Sequence, residues 1–168
     1  MRFFLCLILI VIGILPGCQS LHMSTMNTSN RKTSFDIPEY LEPMRKTVLS
    51  EAIRFIGTPY CYGGKTPFCT DCSGFIVQVY RTVGIATPRT AHEQFLSYSS
   101  EDVIPEPGDL LFFRYSGKAN VSHVGIYLGE DMMIHASEKR GVVISSLEYM
   151  RSFIVGYGRM PIHEFSSK

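Results

Sequence analysis

No stretch of this 168-residue chain reaches the roughly 20 apolar residues that a membrane-spanning helix needs. The longest apolar run, Phe3 to Leu15, has thirteen residues. Clusters of Lys and Arg are also missing. Sixteen basic and fifteen acidic side chains leave a formal charge of +1, which offers nucleic acid no electrostatic footprint. No internal repeat is visible, which excludes a solenoid or an array.

What is there begins with a targeting signal. Arg2 followed by the run Phe3 to Leu15 has the charge and length of a signal-peptide core, which sets residues 1–17 apart from the fold. The run ends in Leu15-Pro16-Gly17-Cys18, which resembles the cleavage box of bacterial lipoproteins, with Pro16 an uncommon occupant. That resemblance implies a cut before Cys18 and acylation of the new N-terminus, hence a membrane anchor. An ordinary secretory signal cut nearby is the alternative. Gln19 in place of Asp points the anchor to the outer membrane, facing the periplasm. Without residues 1–17 the charges balance at fifteen of each sign. Residues 18–43 are rich in Ser, Thr, Asn and Met without apolar periodicity, a flexible tether with a reach of roughly 25–30 Å. Residues 44–163 form one domain able to bury a core, and residues 164–168 a short tail.

Apolar residues at helical spacing predict a first helix over Met44–Ile56, stopped by Gly57. A loop with Tyr60, Cys61, Gly63 and Gly64 follows. A second helix starts at Cys72 with Asp71 or Ser73 as cap, carries Phe75, Ile76, Val79, Tyr80 and Val83, and closes at Gly84. Thr90-Ala91-His92-Glu93 is a capping box that opens a third helix to about Tyr98. Pro105-Glu106-Pro107-Gly108-Asp109 breaks the pattern. Five short strands are predicted after it: Leu110–Phe113, Val124–Leu128, Met132–Ala136, Val142–Ser145 and Phe153–Tyr157. Helices first and strands after is an α+β order, with helices packed on one antiparallel sheet.

Cys72 falls at a helix's first turn, where unpaired N–H groups and the dipole lower a thiol's pKa from about 8.5 toward neutrality. The competing role is a small buried residue on a packed helix. His123 heads one strand and His135 lies inside the next. A turn centred near Glu130 pairs His135 with Gly125, which sets His123 and His135 on one face, ~7–8 Å apart between backbones. If that face meets the N-terminus of the Cys72 helix, the three form a hydrolase. Cys72 is the nucleophile, His123 the base and later the acid toward a leaving amine, and His135 fixes the tautomer and tilt of His123. His22, His92 and His163 lack such partners and read as structural or solvated.

Taken together, several motifs resemble the NlpC-type cell-wall endopeptidases, papain-like cysteine peptidases that cut peptidoglycan stem peptides. They are Gly57-Thr58-Pro59-Tyr60-Cys61-Tyr62-Gly63-Gly64, Asp71-Cys72-Ser73-Gly74-Phe75, Pro88-Arg89-Thr90 and Pro107-Gly108-Asp109-Leu110. His123-Val124-Gly125-Ile126-Tyr127-Leu128-Gly129 and Ile134-His135-Ala136-Ser137 complete the set, in the family's order, with the closest likeness to its small lipid-anchored members. The resemblance implies a papain-like fold with N-terminal helices on a five- to six-stranded antiparallel sheet. It implies peptidoglycan stem peptides or cross-links as substrate, acyl-thioester chemistry and no cofactor. The family's catalytic Cys and two His map onto Cys72, His123 and His135. Its motif tyrosine maps onto Tyr60, with the hydroxyl beside the thiolate or the developing oxyanion. Asp71 and Ser73 would contact polar groups of the substrate, with a plain N-cap as the competing role for Asp71. The expected partners are peptidoglycan peptides and, through Cys18, a membrane, and the expected state is a monomer.

Cys61 and Cys69 stand outside these motifs. Cys69-Thr70-Asp71-Cys72 is formally a Cys-x-x-Cys at a helix start, a thiol–disulfide redox signature. It lacks the preceding strand of a βαβ unit and leaves the two histidines without a role. A zinc site from Cys69, Cys72, His123 and His135 would need histidines three to five residues apart, whereas eleven intervene, so no metal is expected. A non-catalytic wall-binding lipoprotein would have no need of the nucleophile. Export places the domain where thiols pair. With Cys18 acylated and Cys72 kept reduced, Cys61 and Cys69 are a candidate disulfide. Two free thiols, or a Cys69–Cys72 bond that switches the enzyme off, are the other states.

Overall fold

The computed structural model describes residues 35–161. The signal segment 1–17, Cys18, the first part of the tether, His22, His163 and the tail 164–168 lie outside the described residues. Three helices, α1 (Pro43–Arg54), α2 (Cys72–Arg81) and α3 (Ala91–Tyr98), precede every strand of the sheet. The strands are β1 (Ser99–Ser100), β2 (Leu110–Phe113), β3 (His123–Gly129), β4 (Met132–Ser137), β5 (Gly141–Ser146) and β6 (Ile154–Gly158). They make one six-stranded antiparallel sheet in the order β1-β6-β2-β3-β4-β5. The two-residue β1 was beyond any periodic signal. A 3₁₀ turn at Arg151–Phe153 takes Phe153 out of the predicted last strand.

The predicted caps form. Thr90 closes a full capping box with Glu93. At the far end of α2, the Ile85 N–H donates to the Tyr80 carbonyl at 3.0 Å and the Gly84 N–H to the Arg81 carbonyl at 3.1 Å. That crossed pair is the glycine-terminated helix end the sequence implied.

Residues alternate between the two faces of the sheet. Val124, Ile126, Leu128, Ile134 and Ala136 face the helices and join Phe75, Ile76, Val79 and Tyr80 of α2 in the main core. The opposite face carries a smaller cluster around Leu111, Phe113 and Met133. The Pro107-Gly108-Asp109 break is a fastening point. Asp109 is fully buried and receives Arg45 from α1 at 2.9 Å and Arg159 from the end of β6 at 2.9 Å. The Tyr80 hydroxyl of α2 donates to the Gly108 carbonyl. One buried carboxylate and one carbonyl thus tie the first helix, the catalytic-candidate helix and the last strand to the head of β2.

The β3–β4 connection sets the histidines. Glu130 and Asp131 both have positive φ, 48° and 57°, the backbone of a two-residue hairpin turn that closes Gly129 onto Met132. A bulge between Tyr127 and Gly129 then shifts the register by one residue, giving Tyr127 with Met133 and Ile126 with Ile134. Carried one step further, that register sets Gly125 beside His135.

Candidate active site

Asp71 is the N-cap of α2, and its carboxylate organises the approach to the helix. Oδ1 accepts from the Gly74 N–H at 2.7 Å, the Ser73 hydroxyl at 3.3 Å and Arg89 Nη1 at 3.0 Å. Oδ2 accepts from the Gly63 N–H at 2.9 Å and Arg89 Nη2 at 2.7 Å. Burial pushes the Asp71 carboxyl up, but the bonds from Arg89, Gly74 and Gly63 outweigh it and hold its pKa below the ordinary value. Five donors on about four lone-pair sites leave this carboxylate fully engaged. Arg89 also donates to the Ser73 hydroxyl at 3.0 Å and to the Gly64 carbonyl at 3.3 Å, so it binds loop, cap and helix together.

Cys72 follows as the first residue of the helix, a free thiol with 8% of its surface exposed. Burial pushes its pKa up, to about 11, with the Asp71 charge adding to the rise and the backbone N–H groups of Val124, Ser73 and Cys72 opposing it. The helix terminus therefore does not hold a ready-made thiolate, contrary to the sequence expectation. The desolvation of a nearly covered sulfur exceeds what the dipole and three amides return.

His123 and His135 meet as the register requires. His123 Nε2 lies 2.8 Å from His135 Nδ1, with the rings at 89° and their centroids 4.9 Å apart. A side chain at Gly125 would come within 3.2 Å of the His135 Cβ, so glycine leaves that approach open. Burial lowers both pKa values, His123 to about 4 and His135 to about 3, the latter helped by the charges of His123 and Arg140. By alternation the two rings project from the face away from the body of α2. The His123 ring packs on Phe113 at 5.8 Å and Tyr115 at 5.9 Å. Cys72 meets His123 because α2 begins beside the start of β3, where the Val124 N–H reaches the thiol.

Cys72, His123, Tyr60, Asp71 and Ser73 line one cavity of about 570 Å³, together with Arg89 and Tyr115. Tyr60 keeps its proton there: burial raises its pKa, to about 12, with Cys72 and Glu138 adding to the shift. His135 sits behind His123. A larger cavity of about 920 Å³, between residues 35–45 and the turns at Pro105–Pro107 and Gly129–Glu130, holds no cysteine, serine or histidine. Cys61 and Cys69 form a disulfide with Cα atoms 5.5 Å apart, so Cys69 is not bonded to Cys72. Among the described residues no three His, Cys, Asp or Glu side chains converge as a metal site. No helix among them is long and apolar enough to cross a membrane.

Four residues of this neighbourhood were not singled out from the sequence. Arg89 stands in the quoted Pro88-Arg89-Thr90 motif, which was the available signal. Tyr115, Ser145 and Arg140 gave none. Ser145 Oγ lies 3.1 Å from His135 Nε2 and accepts from Arg140 Nη2 at 2.9 Å.

Comparison with known proteins agrees with this arrangement. The NlpC/P60 family model matches residues 57–159. The chain is similar to the probable endopeptidase NlpC of Escherichia coli, at 36% identity over 88% of this chain and 91% of that one. It is similar to the probable endopeptidase p60 of Listeria innocua, at 38% identity over 67% of this chain. It spans only 24% of that relative's length. Among solved structures it is similar to an NlpC/P60 family protein from Bacillus cereus, with a TM-score of 0.65 and 32% identity over 74% of this chain and 41% of that one. Three helices on a six-stranded antiparallel sheet is accordingly the papain-like arrangement of these neighbours. With the motif segments, the fold and the family model covering the same residues, the chain belongs to the NlpC/P60 family.

Proposed function

We propose that this domain is a cysteine endopeptidase that hydrolyses peptide bonds in peptidoglycan stem peptides or cross-links through an acyl-thioester. The observation that carries the reading is the shared cavity of Cys72 and His123, with His123 hydrogen-bonded to His135. Since His135 occupies Nε2 of His123, Nδ1 is the nitrogen left to exchange a proton with the thiol.

With the thiol pushed up and the imidazole pushed down, the empty site rests as a neutral pair. Attack begins when His123 takes the Cys72 proton as the sulfur adds to the scissile carbonyl carbon. The backbone N–H groups around the sulfur and the neutral Tyr60 hydroxyl donate to the developing oxyanion. The tetrahedral adduct collapses as His123 returns the proton to the leaving amine. Water, deprotonated by His123, then cleaves the thioester to a carboxylic acid and restores the thiol. Ser73 and Asp71 offer polar contacts at the cavity wall; a substrate amine reaching Asp71 would displace the Gly63 N–H from Oδ2.

The relatives named endopeptidase support the chemistry. The signal-like segment and Cys18 support export and lipid anchoring, at the outer membrane with the domain facing the periplasm. The test is mass analysis of the muropeptides released from purified sacculi. Wild type should release new stem-peptide termini and Cys72→Ala none. Equal release by Cys72→Ala would sink the peptidase and revive a wall-binding module. Metabolic labelling with palmitate, abolished by Cys18→Ser, tests the anchor.

A further inference from the structure

Two histidines 2.8 Å apart can share one proton, and the pair alone does not say which ring keeps it. The asymmetry lies on the outer side of His135. Ser145 stands opposite Met133 on β5, one diagonal step from His135 and on the same face. Its hydroxyl oxygen lies 3.1 Å from His135 Nε2 and takes a hydrogen bond from Arg140 Nη2 at 2.9 Å. A guanidinium is always charged and only donates. His135 therefore has a fixed cation one hydroxyl away.

We propose that Arg140, acting through Ser145, is a positioning residue that keeps His135 from holding the catalytic proton. The inference rests on the cysteine-peptidase reading above. Ser145 has two lone pairs; Arg140 takes one and the other accepts the Nε2–H of neutral His135. His135 Nδ1 is then bare and accepts from His123 Nε2–H. When Cys72 gives its proton to His123 Nδ1, the resulting imidazolium still faces an acceptor and the charge stays beside the sulfur. A protonated His135 would instead set N–H against N–H and push the proton back to the thiolate. The low pKa of His135, with Arg140 among its causes after burial and His123, agrees with this.

Other groups facing the pair are Cys72 from α2 and Tyr115 from the segment after β2, with Glu138 in the same cavity. None of them changes in the variants that test the idea. Arg140 is exposed, so its substitution leaves the core intact. Removing the cation raises the pKa of His135. His135 then takes up a proton at higher pH, and the reactive pair disappears at higher pH.

The readout is the rate of Cys72 alkylation by iodoacetamide against pH, followed by peptide mapping on the full chain. Attack on the reagent requires the Cys72 proton to pass to His123, so the rate follows the competence of the pair without needing turnover. Arg140→Gln should move the acidic midpoint up by on the order of half a unit at low salt, because an exposed charge acts through solvent. Arg140→Lys should keep the wild-type midpoint, and high salt should shrink the Gln shift. Ser145→Ala should slow alkylation about tenfold and Ser145→Thr restore it, while melting temperatures stay within a few degrees. A profile for Arg140→Gln that superimposes on wild type at low salt overturns the proposal, and so does an equal shift in Arg140→Lys. If wild type releases no muropeptides, the peptidase reading fails, while the alkylation midpoint still decides the role of Arg140.

Discussion

His123 Nε2 and His135 Nδ1 are hydrogen-bonded at 2.8 Å, with the ring planes at 89°. The two rings do not share work equally. His123 lines the cavity with Cys72 and His135 does not. Loss of a general base typically costs 10²–10⁴-fold. His123→Ala should therefore lower kcat/KM on purified muropeptides by roughly 10³-fold or more. His135→Asn and His135→Gln keep an acceptor and should retain about ten times the activity of His135→Ala. An order in which His123 proves dispensable would exchange their roles.

The same pair should make stability depend on pH. Both histidines are pushed below the ordinary 6.5, His123 to about 4 and His135 to about 3, first of all by burial. The unfolded chain then binds protons that the fold does not. Their contribution is complete above pH 6.5 and is lost as pH falls through 4 toward 3. In that window each removes about 1.4 kcal/mol per pH unit. Urea unfolding between pH 7 and 4 should show both slopes, and His135→Asn should remove about half the combined slope. An unchanged slope in that variant would show that His135 does not titrate this way.

Gly74→Ala probes the contact between loop and helix. A Cβ there would collide with the Gly64 carbonyl oxygen and press within 3.0 Å of Asp71 Oδ1. Both neighbours are fixed, Gly64 by the Asp71 N–H and Arg89, and Asp71 by its five donors. The variant should lose about 1–3 kcal/mol or more and nearly all turnover, since the first turn of α2 must shift. Wild-type melting in calorimetry would refute the close approach.

The Cys61–Cys69 bond closes a nine-residue loop that bears Tyr62, Gly63 and Gly64. Chain entropy assigns such a closure about 2–3 kcal/mol. Cys61→Ser with Cys69→Ser should lower Tm by roughly 8–15 °C for a domain of this size. KM should rise more than kcat falls, because the loop carries the Gly63 N–H that holds Asp71. Full activity in reductant with an unchanged Tm would leave the bond without a structural role.

Much of this was legible because local rules and global packing agree. The caps at Asp71, Thr90 and Gly84 are written in side-chain chemistry a few residues long, and all three formed as read. The register of the histidines is a subtler case. An unbroken ladder from the Gly129–Met132 closure would pair His135 with Ile126 and send its ring to the helix face, away from His123. The bulge after Tyr127 corrects that by one residue. A turn centred on Glu130 gives the same face from sequence, but nothing in the residues announces the bulge. Burial was legible least. Whether a thiol at a helix start is solvated or covered depends on Val124 and the neighbouring walls, which arrive from fifty residues away. Arg140 and Ser145 escaped for the same reason: their meaning comes from strand pairing, not from spacing.

Cysteines are oxidised through the thiolate, so a thiol kept protonated is a poor target for peroxide. With Cys72 nearly covered and its pKa pushed up to about 11, its thiol stays in that unreactive form. Cys69 is already bonded to Cys61 and cannot act as a resolving thiol. The domain can therefore age slowly in oxidising surroundings without a reductant to maintain it, and damage should fall on the moments when substrate draws the proton onto His123. Peroxide inactivation should then run faster with a slow substrate bound than in the empty protein, the reverse of ordinary substrate protection.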